Sequence, residues 1–163
     1  MYEKELIALS KSGARYLVIG AVAMSLQGYV RATADLDITP DLEKGNLEKM
    51  ISIIENLGYK PRVPVSAIEL LDPKKREEWY KEKNMKVFSF YHPKNVLKTI
   101  DLMIYHPINF ENCFKRKTLI KIKDYNVYVA SIKDLLNMKI KAGRPQDKVD
   151  VLFLKRLKYK NDK

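Results

Sequence analysis

The sequence predicts an α+β domain, a mixed β-sheet with helices packed on it and two helices at its C-terminal end. Three observations predict it. Short apolar runs at 16–19, 36–39, 85–91 and 99–105 have strand length and are bounded by Gly, Pro or charged residues. Residues 43–57 repeat apolar side chains at helical spacing, which covers one face of a sheet. A hairpin pattern over 118–130 runs into two further helical segments, so strands and helices are interleaved without strict βαβ alternation.

Taken in order, residues 2–12 read as a helix with Leu6, Ile7 and Leu9 on its apolar side, ended by Ser12-Gly13. Tyr16 to Ile19 is a buried strand, and 21–27 a brief helix closing near Gly28. Leu36 to Thr39 is a second strand, stopped by Pro40. In the helix at 43–57, Leu47, Met50, Ile51, Ile54 and Leu57 form the stripe and Gly58 fits the C-terminal cap. Lys60 to Val63 reads as a strand that Pro61 and Pro64 confine to an edge. Pro73 opens a charged helix anchored by Trp79. Met85–Tyr91 and Thr99–Tyr105 are strands joined by a loop holding His92-Pro93, and Asn109–Lys115 is a short helix. Thr118–Lys123 and Val127–Ala130 form a hairpin about an Asp124-Tyr125-Asn126 turn. Ser131 caps a helix running to Ala142, with Asp134 as its acidic partner. Pro145 starts a last helix that turns Val149, Leu152, Phe153 and Leu157 inward.

At 163 residues the chain suits one domain over 1–163, with a core of about 14–130 and C-terminal helices over 131–160. No run of about eighteen apolar residues occurs, so no transmembrane helix and no membrane partner are expected. The first residues, MYEKELIALSKSG, lack the apolar core of a signal peptide. The single cysteine, Cys113, excludes an internal disulfide and a cysteine-based zinc site, and the cytoplasm is the expected location. The net charge of +11 suits a polyanionic partner such as tRNA, or steering of nucleotides. It equally suits a Lys/Glu-rich surface of the thermophile kind, because the bases are spread along the chain.

The chemistry concentrates in YLVIGAVAMSLQGYVRATADLDI, residues 16–38. Asp35 and Asp37 are two apart, so in a strand both leave the same face. Adjacent carboxylates repel unless a cation lies between them, and Mg²⁺ prefers one or two carboxylates plus substrate phosphates. Gly20 precedes a helix whose first N–H groups are free to hold a phosphate. Asp101 sits in the otherwise apolar run TIDLMI, where a carboxylate is normally paired, protonated or metal-bound. His92 and His106 each precede Pro and read as turn residues, and Tyr29 reads as packing.

Gly20 followed by Asp35-Leu36-Asp37 resembles the signature of the nucleotidyltransferase superfamily, with the DNA polymerase β-like fold. GAVAMSLQGYVRATADLDI is similar to small bacterial and archaeal members related to abortive-infection (AbiEii-type) enzymes, in which an Arg-x-Thr-x-Asp-x-Asp run is typical; Arg31, Thr33, Asp35 and Asp37 fill it. The second small residue of the signature, usually Gly or Ser, is Ala21 here, which removes a hydroxyl. SIKDLLNMKIKAGRPQDKVDVLFL resembles the C-terminal helices of the same group, with Lys139, Arg144, Asp147 and Asp150 in the places of its Lys, Ala-x-Arg and Asp-x-x-Asp.

The resemblance implies a nucleotidyltransferase-type sheet and Mg²⁺-dependent transfer of a nucleoside monophosphate from an NTP to a hydroxyl, with release of pyrophosphate. Asp35, Asp37 and Asp101 would be the catalytic and metal-binding residues, holding one or two Mg²⁺, with Asp101 drawing the proton from the acceptor. Gly20, Ala21, Arg31, Thr33, Lys139 and Arg144 would contact nucleotide. Arg31 pairs with Asp35 or reaches a phosphate, and Arg144, Asp147 and Asp150 form an ion-pair cluster or belong to the site; the sequence leaves both choices open. The acceptor could be tRNA, a protein or a small molecule. A catalytically weak, antitoxin-like member with a cognate toxin or antitoxin partner, or a nucleic-acid-binding one, is the alternative.

Overall fold

In the computed structural model, which describes residues 1–162, seven strands form one mixed sheet in the order β3-β4-β5-β2-β1-β7-β6. The strands are β1 (Tyr16–Ile19), β2 (Asp35–Pro40), β3 (Lys60–Pro61), β4 (Val87–His92), β5 (Asn95–Met103), β6 (Thr118–Ile122) and β7 (Tyr125–Val129). The helices are α1 (Glu3–Lys11), α2 (Gly20–Leu26), α3 (Lys44–Asn56), α4 (Pro73–Glu82), α5 (Phe110–Lys115), α6 (Ile132–Ala142) and α7 (Asp147–Asn161). The expected α+β class, mixed sheet and C-terminal helix pair are all present. Among the described residues no helix is long and apolar enough to cross a membrane.

The strand alternation separates two faces of the β4-β5-β2 region. Phe88, Phe90, Leu36, Ile38, Ile100 and Leu102 are buried on one face. The stripe of α3 (Leu47, Met50, Ile51, Ile54) and Trp79 of α4 are buried in the same core, with the Trp79 ring 5.9 Å from that of Phe88. Residues of opposite parity, Asp35, Asp37, Ser89, Tyr91 and Asp101, share the other face and are only half-buried or exposed. The same pleat that buries the apolar residues therefore puts the acids on the open face.

Two pairings put the acids side by side. β1 and β2 are antiparallel with Ile19 opposite Asp37. β2 and β5 are parallel with Asp35 opposite Thr99 and Asp37 opposite Asp101. The end of the β1–β2 pair where Tyr16 faces Pro40 is held by Asn46. Its Oδ1 accepts the Arg15 N–H at 2.7 Å, and its Nδ2 donates to the carbonyls of Arg15 (2.9 Å) and Asp41 (2.8 Å). Asn46→Ala leaves a largely buried N–H and two carbonyls without these partners, so it should lower stability by about 2–4 kcal/mol in urea denaturation.

Several boundaries differ from expectation for local reasons. β5 begins at Asn95, before Thr99, because an irregularity at Tyr91/His92 lets the largely exposed stretch Asn95-Val96-Leu97-Lys98 continue the hairpin. The β6/β7 turn is tighter than the expected Asp124-Tyr125-Asn126. Ile122 pairs with Tyr125, and Lys123 takes φ +54°. A short 3-10 helix at Ala67–Leu71 follows the edge strand β3 and was not anticipated. The orientation of α7 corrects a larger error. Val149 and Leu152, expected inside, are 64% and 61% exposed, while Asp147, Asp150 and Leu154 are buried. The helix is rotated because its two acids are buried against the cations Lys139, Arg144 and Arg31, described below. Phe153 keeps its expected packing, stacked on Tyr29 at 4.0 Å.

Candidate active site

The site is built at the junction of β1, β2 and β5. Gly20 follows Ile19 with φ +67°, a left-handed conformation that suits glycine, and the chain turns there from β1 into α2. A Cβ at this position would lie 2.2 Å from Asp37 Oδ2 and 3.0 Å from its carboxyl carbon. The Asp37 carboxylate is thus seated directly against the glycine backbone. Asp101 lies across from it on β5, and Asp35 stands two residues earlier on β2, exposed.

The electrostatics follow from this crowding. Burial pushes Asp37 from the ordinary 3.8 up to about 7, and the carboxylates of Asp101 and Asp35 add to it. Lys139 and Arg144 pull it back. Asp101 is also raised, first by burial and then by Asp35, against Ser89 and Arg62, which lower it. Its Oδ1 is buried without a hydrogen-bond partner. Both acids have raised values in the fold, so the fold favours their protonated forms. Their cost is absent below about pH 4, grows as pH rises toward 7, and stays constant above. Metal-free protein should therefore melt at a higher temperature at pH 5 than at pH 7.5, with the slope reduced in Asp37→Asn to what Asp101 alone contributes. Thermal melts of both proteins across that range check it.

The structure brings Gly20, Asp35, Asp37 and Asp101 together. It places the expected nucleotide-binding cations differently. Lys139 Nζ bonds Asp147 Oδ1 at 2.9 Å and Asp150 Oδ2 at 3.0 Å, Arg144 bonds Asp147, and Arg31 pairs with Asp150 rather than Asp35. Asp147 and Asp150 have side chains only 2% and 3% exposed, so these are internal ion pairs. Lys139 and Arg144 act on Asp37 while paired in this way. Thr33 Oγ1 accepts the Asp35 N–H at 3.2 Å and so shapes the entry to β2. Ala21 is the first residue after the Gly20 turn. His106 bonds the Pro40 carbonyl at 2.8 Å, and the His92 ring packs edge-on to Tyr59, consistent with structural roles.

Two neighbours were not legible beforehand. The buried Tyr2 hydroxyl donates to the carbonyl of Ala34, accepts the N–H of Thr99 at 2.9 Å and lies 2.9 Å from the Thr99 carbonyl. It ties the start of β2, one residue before Asp35, to β5, two residues before Asp101, and burial pushes the phenol up to about 12. Arg62 donates from Nη2 to Thr99 Oγ1 at 3.0 Å. Neither belongs to a periodic pattern; only the long-range pairing brings them here.

Among the described residues no group of three His, Cys, Asp or Glu side chains stands ready-made around a metal ion. The donors nevertheless suit a hard divalent cation. Asp37 and Asp101 are facing carboxylates, one oxygen of Asp101 is orphaned, and phosphate oxygens could complete the shell.

No protein-family model matches the chain, and no curated protein matches it. Solved structures do. A Thermotoga maritima protein, provisionally assigned as a nucleotidyltransferase, is similar over 98% of this chain and 91% of its own, with a TM-score of 0.56 at 15% identity. The lincosamide antibiotic adenylyltransferase LnuA, in its lincomycin-bound form, is similar over 96% of this chain and 94% of its own, with a TM-score of 0.57 at 19% identity. At these identities the likeness is one of fold, and the fold is of the nucleotidyltransferase type.

Proposed function

We propose that the protein is a nucleotidyltransferase of the small, AbiEii-like kind, moving a nucleoside monophosphate from an NTP to a hydroxyl acceptor. The observation that carries this reading is the facing pair Asp37 and Asp101, with Asp37 seated on Gly20. Asp35, Asp37 and Asp101 would hold Mg²⁺, which when bound would neutralise phosphate charge and lower the pKa of the acceptor hydroxyl. Asp101, with its elevated pKa and free oxygen, would take the proton of that hydroxyl. Tyr2 would hold the two strands, and so the two carboxylates, in register. Gly20, Ala21, Arg31, Thr33, Lys139 and Arg144 would border the nucleotide on the Asp37 side.

A second reading has its own support. Lys139, Arg144 and Arg31 are each committed to internal acids, which weakens their hold on phosphate and favours an antitoxin-like member that binds a partner without turnover. The test is calorimetric titration of the protein with ATP, GTP, CTP and UTP with and without Mg²⁺, followed by incubation with α-labelled nucleotide and host extract. Mg²⁺-dependent binding of one NTP and a labelled acceptor are expected. Absence of nucleotide binding under all conditions would remove the enzymatic reading and leave the second.

A further inference from the structure

Every expected cation beside Asp37 is neutralised within the fold, but the one beside Asp101 is not. Arg62 follows the edge strand β3, and its N–H donates to the Ser89 carbonyl of β4 at 2.8 Å. Its side chain crosses β4 to Thr99 on β5, two residues before Asp101 on the same face. The tether fixes one of its five donors and leaves the rest of the fork free. Arg62 is exposed and has no ion-pair partner among the described residues, whereas Arg15, Arg31, Arg116 and Arg144 each have one. The face it crosses carries Ser89 and Tyr91, both half-buried, while Phe88 and Phe90 on the reverse are fully buried. In the strand order, Gly20 at the end of β1 and Arg62 after β3 lie on opposite sides of the carboxylates of β2 and β5.

We propose that the face between Asp101 and Arg62 seats the acceptor, and that it takes a small acceptor carrying an oxyanion close to the hydroxyl that reacts. This rests on the nucleotidyl-transfer reading. A tethered guanidinium is suited to two-point contact with phosphate or carboxylate, and it offsets the repulsion an anion would meet near three aspartates. In the transfer, the acceptor oxygen bonds to the α-phosphorus, its proton passes to Asp101, and the bond to pyrophosphate breaks with pyrophosphate keeping the electron pair. Arg62 holds the oxyanion so that the hydroxyl is presented to Asp101.

The test follows the Arg62 side-chain N–H signal by NMR in the full chain, first with Mg²⁺ and a non-hydrolysable NTP analogue. Glycerol 3-phosphate is then titrated in, with glycerate and glycerol as parallel arms. A saturable shift at Arg62 with glycerol 3-phosphate or glycerate, none with glycerol, and retention of the analogue are expected; the two anion arms decide between phosphate and carboxylate. Arg62→Gln should weaken the anion at least tenfold without changing analogue affinity, and Arg62→Lys should recover part of it. Displacement of the analogue by the anion, or an Arg62 shift no larger than with glycerol, overturns the proposal. If the analogue itself fails to bind, the nucleotidyl-transfer reading fails at that first step, and the same anion titration on the free protein still decides whether Arg62 is an anion seat.

Discussion

Asp37→Asn is expected to lower nucleotidyl transfer by roughly a thousandfold or more while making the metal-free protein more stable. Both halves have one cause. The carboxylate is held where burial, Asp101 and Asp35 all oppose its charge. Such an arrangement is unfavourable to the isolated fold and becomes favourable when a divalent cation and phosphates share the charge. On the proposed function, loss of one carboxylate ligand would remove several kcal/mol of charge stabilisation from the transition state, which the rate law converts to about three orders of magnitude. The amide is close to isosteric and needs no counter-charge. A gain of about 1–3 kcal/mol is therefore expected near pH 7.5, shrinking toward zero below about pH 4 where the wild-type carboxyl is protonated in both states. Urea denaturation without metal, beside a single-turnover assay with Mg²⁺, checks it. A variant that loses activity and stability together would mean that Asp37 serves mainly as a structural group.

The same pairings explain what the sequence made legible. The Asp35-Leu36-Asp37 alternation could be read because strand periodicity is local, and Asp101 because an acid inside TIDLMI breaks an apolar run. Ser131 and Asp134 read correctly as a cap because capping is settled within four residues: the Ser131 hydroxyl accepts the Asp134 N–H at 3.1 Å. The rotation of α7 could not be read. Its apolar residues lie on more than one side, so the inner face is decided by Asp147 and Asp150 meeting Lys139 of the preceding helix, Arg144 of the intervening loop and, from far along the chain, Arg31. Tyr2 and Arg62 escaped for the same reason. Their meaning depends on the parallel pairing of β2 with β5 and the placement of β3 at the edge beyond β4.

Gly20→Ala carries the other large effect, and the fold supplies its own control. Gly13 has the same φ of +67°, yet a Cβ there would meet nothing within 4 Å. Gly13→Ala should thus cost only the left-handed backbone strain, about 1–2 kcal/mol. Gly20→Ala adds a contact of 2.2 Å with Asp37 Oδ2, which real atoms do not sustain, so either the turn or the carboxylate must move. The carboxylate is the softer of the two, and turning it away separates it from Asp101 and from any cation they would share. Gly20→Ala should therefore be less stable than Gly13→Ala by about 1–3 kcal/mol and should lose most of its transfer activity, while Gly13→Ala keeps it. A double-mutant cycle locates the cause: in an Asp37→Ala background the colliding oxygen and the carboxyl carbon are gone, the Asp37 Cβ stays at 3.2 Å, and the excess cost of Gly20→Ala should largely vanish. If the cost of Gly20→Ala is unchanged in that background, the glycine is required by the turn alone, and the seat it provides for Asp37 is not what the site depends on.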